Sequence, residues 1–276
     1  MNDFTLSVII PAYDEAKSIA ALLDLVAAAA YRKQIVVVDD GSSDGTSAAV
    51  QERRRRGQGD VVLLRHERNL GKGAAIRTGL TAATGQIVLV QDADLEYDPC
   101  DYPLLVEPLL VGAADVVYGS RYLPRPGGTP WRMNRVGVSI LNLAVRLLYG
   151  YRLTDEATCY KAMRTDLLRA MDLQCERFEF CPEVTAKACR MRLRILEVPV
   201  RYVPRGRSDG KKIRWRDGVA ALRALWRWRK WEYHGCPPTA APVGAANTGA
   251  TALHPACVVA AEASDGDPAN LTGAIE

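Results

Sequence analysis

Residues 34–50 read QIVVVDDGSSDGTSAAV, and this stretch decides the fold class. The β-branched run at 34–39 predicts a buried strand. The Asp, Gly and Ser residues that follow predict a turn and then a helix over 44–56, opening on a Ser43 or Asp44 cap. A strand that is apolar on both faces and feeds directly into a helix is typical of a parallel sheet covered by helices. The stretch therefore predicts an α/β protein.

The same alternation extends in both directions from this unit. Further strands are predicted at residues 7–11, 60–65, 86–91 and 115–118, and further helices at 15–30, 72–83 and 101–111. Together these elements predict a Rossmann-like, open, mostly parallel sheet with flanking helices.

The alternation ends after Tyr122. The sequence then predicts a Pro/Gly loop, an amphipathic helix, an alternating strand and a last helix, at residues 123–130, 133–149, 192–202 and about 217–231. Residues 235–276 are rich in Ala, Pro, Gly and Thr and contain no Lys or Arg, which predicts a mostly disordered tail. We therefore divide the chain into a first half, an acceptor-side extension of the same domain and a tail, at 1–122, 123–234 and 235–276.

Three carboxylates follow the predicted strand at 86–91, namely Asp92, Asp94 and Glu96. If the backbone stays extended there, alternation places all three on one side. Hard oxygen ligands suit Mg²⁺ or Mn²⁺, with positions left open for the phosphates of a nucleoside diphosphate. The alternative is a solvated acidic turn that closes the strand.

Two other nucleotide sites are disfavoured by the turns of this sheet. The first strand-to-helix turn, residues 11–16, lacks the glycines of an NAD or FAD site, and residues 71–73 are too short for a Walker loop. Lys72 nevertheless stands at a predicted helix N-terminus, where it and backbone N–H groups suit a diphosphate. The alternative is an ordinary loop with a solvated lysine.

Composition indicates the cellular compartment of the protein. The seven cysteines form no C-x-x-C pair and are odd in number, which argues against a zinc site or a disulfide framework and favours a reducing cytosol. The N-terminus has no basic n-region, and charges interrupt every long apolar stretch. We therefore expect a cytoplasmic protein with neither a signal peptide nor a transmembrane span.

Positive charge is concentrated near the end of the predicted fold. Residues 190–231 hold 14 Lys and Arg against 3 Asp and Glu, which indicates an anionic partner. Nucleic acid is the weaker option. The last helix is predicted to carry a basic stripe, formed by Arg216, Arg223, Arg227 and Lys230. Beside it lies an apolar face, formed by Trp215, Val219, Leu222, Leu225 and Trp226. Trp228 and Trp231 are predicted to lie off that face. We expect the apolar face to dock on the domain, with a membrane-facing edge as a second hypothesis.

Five motifs of the first half occur together and in order: SVIIPAYDEA at 7–16, VVVDDGSSDGT at 36–46, NLGKGAAIRTG at 69–79, QDADLEYDPCDYP at 91–103 and DVVYGSRYL at 115–123. As a set they resemble glycosyltransferase family 2, with the GT-A fold. The nearest likeness is to the branch of dolichyl-phosphate mannose and glucose synthases, and it extends over about residues 5–231.

On the donor side, the resemblance implies a nucleotide sugar, GDP-mannose or UDP-glucose, bound with Mg²⁺ or Mn²⁺. Asp92 and Asp94 match the family D-x-D motif that anchors the donor through the metal, while Glu96 replaces a frequent Gln and is expected as a third ligand. The residues expected to hold the nucleotide are Pro11, Tyr13, Glu15, Asp39, Asp40, Lys72 and Asp92.

On the acceptor side, the resemblance implies a polyprenyl phosphate at the cytosolic membrane face. Arg121 matches the arginine that reaches the acceptor phosphate, and Asp155 is expected to shape the site rather than act as a base. The expected catalytic residues are Asp94, Arg121 and Asp155. Further acceptor contacts are expected from Arg132, Arg135, Ser139, Arg207, Lys211 and Lys212.

Three functional hypotheses follow from these expectations. The leading one is an inverting hexosyltransferase that uses a polyprenyl phosphate. Such an acceptor arrives already ionised and needs no general base, whereas a sugar hydroxyl needs one. The alternatives are a family 2 enzyme acting on a soluble hydroxyl acceptor and a nucleotide-sugar-binding protein without catalysis.

Overall fold

A mixed β-sheet forms the centre of the protein in a computed structural model that describes residues 4–57, 60–125, 135–205, 215–235 and 259–260. The strands lie in the order β3-β2-β1-β4-β6-β5-β7-β8. Their bounds are β1 Leu6–Ala12, β2 Lys33–Asp39, β3 Asp60–Arg65, β4 Ile87–Val90, β5 Val116–Ser120, β6 Lys161–Arg164, β7 Ile195–Pro199 and β8 Val259–Ala260. The helices are α1 Ile19–Ala28, α2 Thr46–Arg55, α3 Lys72–Ala82, α4 Tyr102–Leu110, α5 Arg135–Tyr149, α6 Thr165–Ala170, α7 Phe180–Arg190 and α8 Trp215–Trp228, with a short 3₁₀ turn at Pro99–Asp101 before α4.

The first four strands are parallel, as the sequence predicts. β1 pairs with β2 on one side and with β4 on the other, and β2 pairs with β3. Every residue of β1 and β4 is buried because helices cover both faces of the sheet. The uninterrupted apolar runs that predicted these strands are the consequence of this two-sided burial.

The sheet changes direction at β6, a strand that the sequence analysis did not predict. β6 lies between β4 and β5 and is antiparallel to both, while β5 and β7 are parallel. Lys161 begins β6 fully buried, with its ammonium 3.3 Å from the centroid of the Tyr118 ring. Residues beyond 122 therefore complete the sheet that the first half begins.

Two helices begin later than predicted because the chain first makes a tight turn. Asp14 has a positive φ of 52°, and α1 starts only at Ile19. α2 starts at Thr46, behind an N-cap Gly45 with a φ of 94° that favours glycine. Asp44 is not the N-cap residue, but its carboxylate accepts a hydrogen bond from the Thr46 N–H at 3.1 Å.

The outer face of α8 differs from the helical projection. Trp226 is 57% exposed, whereas Trp228 is buried together with Ala221 and Leu225. The Lys187 ammonium lies 4.0 Å from the centroid of the Trp228 ring. The predicted docking of α8 on the domain is confirmed, but the assignment of these two tryptophans was wrong.

Some predictions fall outside the described residues. These are the loop over 123–130 from residue 126 onward, the side chains of Trp215 and Arg216, and the tail from residue 236 apart from β8, which pairs antiparallel with β7. The predicted alternating strand at 192–202 is shorter and buried at all five positions, Ile195–Pro199. Within the described ranges, no helix combines the length and hydropathy that a bilayer span requires.

Candidate active site

The predicted site residues gather at the carboxyl ends of β1, β2, β4 and β5. Pro11 is buried near the end of β1, and Tyr13 is partly exposed in the turn that follows. Ends of parallel strands in open α/β sheets are where ligands bind, because loops there leave a crevice. The fold thus brings together sequence motifs that are more than 100 residues apart.

The turn after β4 contradicts the predicted grouping of three carboxylates. Leu95 has a positive φ of 62°, so the backbone turns and simple alternation fails. Glu96 points toward the C-terminal half, where its carboxylate accepts hydrogen bonds from the Tyr202 hydroxyl at 2.5 Å and from the Arg205 N–H at 2.9 Å. Among the described residues, no three acidic, histidine or cysteine side chains are placed to hold one metal ion. The expectation of Glu96 as a third ligand is therefore not supported.

Asp92 and Asp94 still fit a divalent cation. Burial, together with the nearby charges of Asp92 and Glu96, raises the pKa of Asp94 to about 7. A bound cation would relieve the repulsion between the Asp94 carboxylate and its acidic neighbours, and would so favour the charged form that burial disfavours. Carboxylate oxygens are also the ligands that Mg²⁺ and Mn²⁺ prefer.

Lys72 supplies a positive charge at the same point. It is the first residue of α3, and its ammonium contacts the Asp92 carboxylate and lies 2.8 Å from the Cys159 sulfur. Burial lowers the pKa of Lys72, but the charge of Asp92 outweighs it and the pKa is raised well above its usual value. Lys72 therefore stays protonated beside the predicted metal ligands.

The two acids at the end of β2 have partners within the chain. Asp39 accepts hydrogen bonds from the Ser42 N–H at 2.9 Å and from the Ser47 hydroxyl. Asp40 accepts from His66 at 2.7 Å and from the N–H groups of Leu70 and Gly71 at 2.9 and 2.8 Å. These carboxylates hold the loops on either side of the crevice, and direct contact with a base or ribose stays a prediction.

Arg205 joins the two halves of the site and was missed by the sequence analysis. Its guanidinium donates to both carboxylate oxygens of Glu15, at 3.2 and 2.6 Å, and to the Asp94 carbonyl at 2.9 Å. The signal available in the sequence was an unassigned arginine in the basic segment, but nothing local connects it to residues 15 and 94. Arg205 thus ties the turn after β1 to the turn after β4.

Replacing Arg205 by glutamine is expected to raise the donor KM about tenfold, because both turns then lose a shared anchor. Glu15→Gln is the matched partner variant. A double-mutant cycle on the donor KM is expected to show coupling of about 1 kcal/mol or more between the two residues. Strictly additive effects would contradict this account.

Arg121 and Asp155, two of the predicted catalytic residues, form a buried bidentate pair. The Arg121 guanidinium donates twice to the Asp155 carboxylate, each time at 2.7 Å, and the Arg121 N–H adds a third hydrogen bond at 3.0 Å. Asp155 is fully buried, and Arg121 also stacks near the rings of Tyr122 and Tyr202. Both oxygens of Asp155 are engaged, so this acid holds the arginine and is poorly placed to accept a proton from a substrate.

The other residues that were predicted to contact the acceptor are only partly described. Arg135 begins α5, with its guanidinium carbon 5.8 Å from the centroid of the Tyr122 ring, and Ser139 is exposed one turn later. Arg132, Arg207, Lys211 and Lys212 lie outside the described residues.

The sequence matches the profile described as Glycosyl transferase family 2 over residues 7–171, which is more than half of the chain. The chain belongs to glycosyl transferase family 2. It is 35% identical over 167 residues to an undecaprenyl-phosphate mannosyltransferase of Micrococcus luteus, covering 58% of this chain and 67% of that protein. It is 28% identical over 229 residues to a dolichol-phosphate mannosyltransferase of Pyrococcus furiosus, covering 82% of this chain and 64% of that protein.

Solved structures confirm the α/β fold class of this family 2 chain. A glucosyl-3-phosphoglycerate synthase from Mycobacterium tuberculosis, in complex with Mn²⁺, UDP and phosphoglyceric acid, superimposes with a TM-score of 0.63 at 19% identity, covering 83% of this chain and 79% of that chain. S. aureus TarS 1-349 with UDP-GlcNAc gives a TM-score of 0.55 at 22% identity, covering 81% and 66%. The matched part of this chain spans about two thirds of the length of each of these curated relatives.

Behind Asp155, the family 2 chain buries a second carboxylate. Glu156 is fully buried near Thr185, and among the described residues no hydrogen bond of normal geometry reaches either of its carboxylate oxygens. Burial raises the pKa of Glu156 despite the nearby charge of Lys161. Such a group favours the folded protein in its neutral form, and this stabilisation is lost as the pH rises through the raised pKa.

Replacing Glu156 by glutamine is therefore expected to stabilise the protein at alkaline pH by about 1–3 kcal/mol relative to wild type, with a smaller gain at acid pH. Denaturant unfolding across the pH range measures the difference. Glu67→Gln, at an exposed position, is the control and should show no such trend. A Glu156→Gln protein whose relative stability does not rise with pH would contradict the raised pKa.

Proposed function

We propose that this chain transfers a hexose, mannose or glucose, from a nucleoside-diphosphate sugar to a polyprenyl phosphate, with inversion at the anomeric carbon. The observation that carries the proposal is the Arg121–Asp155 pair. The pair fixes the Arg121 guanidinium as a cation for the acceptor. It also engages both oxygens of Asp155, so Asp155 is not available as the base that a hydroxyl acceptor would need. The printed names of the relatives in Micrococcus luteus and Pyrococcus furiosus support the same acceptor class.

For the donor, we propose GDP-mannose or UDP-glucose bound with Mg²⁺ or Mn²⁺ at Asp92 and Asp94. When bound, the cation would neutralise charge that develops on the departing diphosphate. Lys72 stays protonated at the N-terminus of α3, where it suits the same phosphates. Mn²⁺ together with UDP in the glucosyl-3-phosphoglycerate synthase complex supports this proposal by likeness of fold.

On the acceptor side, the residues of the chain bind and orient. Arg121 is locked by Asp155, and a planar guanidinium in a fixed orientation suits two oxygens of a phosphate monoester. The guanidinium carbons of Arg135 and Arg121 lie 5.8 and 5.7 Å from the centroid of the same ring, that of Tyr122, so both arginines border one aromatic side chain. A monoester with a second pKa near ~6 reaches them largely ionised and ready to attack.

A soluble hydroxyl acceptor is the less favoured alternative because the engaged Asp155 leaves that reaction without this base. We place the activity in the cytoplasm, at the cytosolic face of a membrane, where polyprenyl phosphate and nucleotide sugars meet. The basic segment over 190–231 supports an anionic setting of this kind.

The experiment that tests the proposal is a transfer assay with radiolabelled NDP-sugars and Mn²⁺, with and without a short, water-soluble polyprenyl phosphate. We expect label in the lipid fraction with one guanosine or uridine donor and no lipid label without the phosphate acceptor. The corresponding free polyprenol is the matched acceptor control. Equal transfer to the free alcohol, or donor binding without any transfer, would overturn the proposed acceptor.

A further inference from the structure

Tyr202 lies between the two halves of the candidate site. It follows β7, and its hydroxyl donates to the Glu96 carboxylate at 2.5 Å. The Arg121 guanidinium lies over the Tyr202 ring, with the guanidinium carbon 5.2 Å from the ring centroid. Glu96 belongs to the turn after β4, residues 92–97, which we call the donor turn because it holds the predicted metal ligands. One side chain thus contacts the donor turn through its hydroxyl and Arg121 through its ring.

Backbone contacts also connect the donor turn to the segment that carries Tyr202. The Glu96 N–H donates to the Asp94 carboxylate at 3.1 Å. The Val203 N–H donates to the Glu96 carbonyl at 2.9 Å, and Tyr97 forms an isolated antiparallel bridge with Tyr202. The position of Tyr202 therefore depends on the conformation of the donor turn and, through Glu96, on the position of the Asp94 carboxylate.

On the other side, Tyr202 contacts an arginine that a buried acid holds at one edge. Asp155 accepts two hydrogen bonds from the Arg121 guanidinium, both at 2.7 Å. The ring centroids of Tyr122 and Tyr202 lie 5.7 and 5.2 Å from the guanidinium carbon, so two aromatic rings border the same group. A cation over an aromatic face is attracted by that face. A shift of the Tyr202 ring therefore changes the orientation that Arg121 offers to an acceptor phosphate.

The hydroxyl of Tyr202 can be removed without dismantling this part of the fold. The N–H groups of Val203 and Arg205 donate to the Glu96 carbonyl and carboxylate, each at 2.9 Å. The ring contact between Tyr202 and Tyr97, with centroids 5.1 Å apart, is retained by a phenylalanine. Tyr202→Phe therefore removes the hydrogen bond to the Glu96 carboxylate and leaves these contacts in place.

We propose that Tyr202 is a positioning residue that couples the two substrate sites, so that a bound nucleotide sugar and a bound acceptor phosphate each tighten the binding of the other. A donor held at Asp92 and Asp94 restricts the donor turn. The restricted turn holds the Tyr202 hydroxyl through Glu96, and the Tyr202 ring then keeps Arg121 in the orientation that the acceptor requires. Because the two binding free energies are linked, the acceptor favours donor binding by the same factor. The inference rests on the proposed function for the identity of both ligands.

The test is calorimetric titration of the full chain with a short, water-soluble polyprenyl phosphate. The titration is made with Mn²⁺ alone and with Mn²⁺ plus a saturating 2-deoxy-2-fluoro analogue of GDP-mannose or UDP-glucose, whose fluorine slows transfer so that binding reaches equilibrium. The readout is the ratio of the two dissociation constants. We expect a ratio of about five or more in wild type and of less than about two in Tyr202→Phe. A tyrosine that only stabilised the fold would leave this ratio unchanged.

Tyr151→Phe is the matched control. Its hydroxyl donates to the Leu193 carbonyl at 3.1 Å, before the start of β7 and therefore at the end of the strands that lies away from the crevice. The control is expected to keep the wild-type ratio. Glu96→Gln weakens the same hydrogen bond from its other end by removing the charge. The double variant Glu96→Gln, Tyr202→Phe should therefore lower the ratio no further than Tyr202→Phe alone.

The outcomes separate this inference from the proposed function. Binding of the donor analogue by Tyr202→Phe shows that the variant is folded. The wild-type ratio in Tyr202→Phe, or a ratio near one in wild type, would overturn the coupling and leave the proposed function untouched. A wild-type protein that binds the donor analogue but no polyprenyl phosphate under either condition would count against the proposed function, and the inference would fall with it.

Discussion

Replacing Asp94 by asparagine is expected to lower hexose transfer by about 1000-fold or more, with the fold retained. Asn keeps the shape of the side chain but removes the charge that suits a divalent cation. Burial and the acidic neighbours Asp92 and Glu96, which raise the pKa of Asp94, also make the charge of wild-type Asp94 costly in the metal-free protein. Single-turnover transfer with saturating Mn²⁺ measures the loss.

The same variant carries a pH signature in its Mn²⁺ affinity that a merely structural residue would not give. In the metal-free wild type, the raised pKa means that Asp94 supports folding below its unfolded pKa and that this support is lost as the pH rises through about 7. Mn²⁺ competes with this proton, so Mn²⁺ affinity in wild type is expected to rise as pH approaches 7 and to level off above it. Asp94→Asn should show neither the stability trend nor the affinity trend. Calorimetric titration of Mn²⁺ that is flat between acid and alkaline pH in wild type would contradict the assignment.

Replacing Arg121 by glutamine is expected to have two separable effects. Asp155 is left buried without its cation, which destabilises the protein by about 3–5 kcal/mol. Transfer to polyprenyl phosphate is expected to fall by about 100-fold or more, because the acceptor phosphate loses its fixed partner. Unfolding in denaturant and steady-state acceptor kinetics measure the two effects.

The double variant Arg121→Gln, Asp155→Asn separates stability from transfer. It removes both charges, so most of the stability should return while transfer stays low. Arg121→Lys tests geometry, since a single ammonium cannot reproduce the bidentate fork. Recovery of transfer in the double variant would mean that Arg121 acts only as a structural partner of Asp155.

The parallel half of the sheet could be predicted from the sequence because strands that are buried on both faces consist mainly of apolar residues. β4 is an uninterrupted apolar run, β1 is apolar apart from Ser7, and β3 was predicted at its observed bounds. β6 gives no such signal, since Lys161 and Arg164 bracket only two apolar residues. Its lysine is tolerated there by the Tyr118 ring and by the Glu156 carbonyl, which accepts from the ammonium at 2.9 Å. These are contacts that only the fold creates.

The candidate site was predictable where motif and strand end coincide and not where distant turns meet. Asp92 and Asp94 were named from a local pattern and Arg121 from the family resemblance, and the structure places all three at the expected strand ends. The contacts that orient Glu96 and Glu15 come from Tyr202 and Arg205, more than 100 residues later. Alternation failed at Glu96 because one residue, Leu95, takes a left-handed conformation. The periodicity of apolar residues predicts only regular strands and helices, so it does not reveal such a turn.

The antiparallel insertion of β6 also constrains how the chain is made. In the sheet, β6 lies between β4 and β5. It is synthesised some forty residues after β5, at Lys161–Arg164. On the ribosome, β5 therefore has no place beside the nascent parallel strands until that later segment emerges. During this interval the edge of β4 is open to pairing with another chain. Assembly of the candidate crevice is thus expected to wait for one short strand, and slowing translation ahead of that strand should lengthen the time for which the β4 edge stays open.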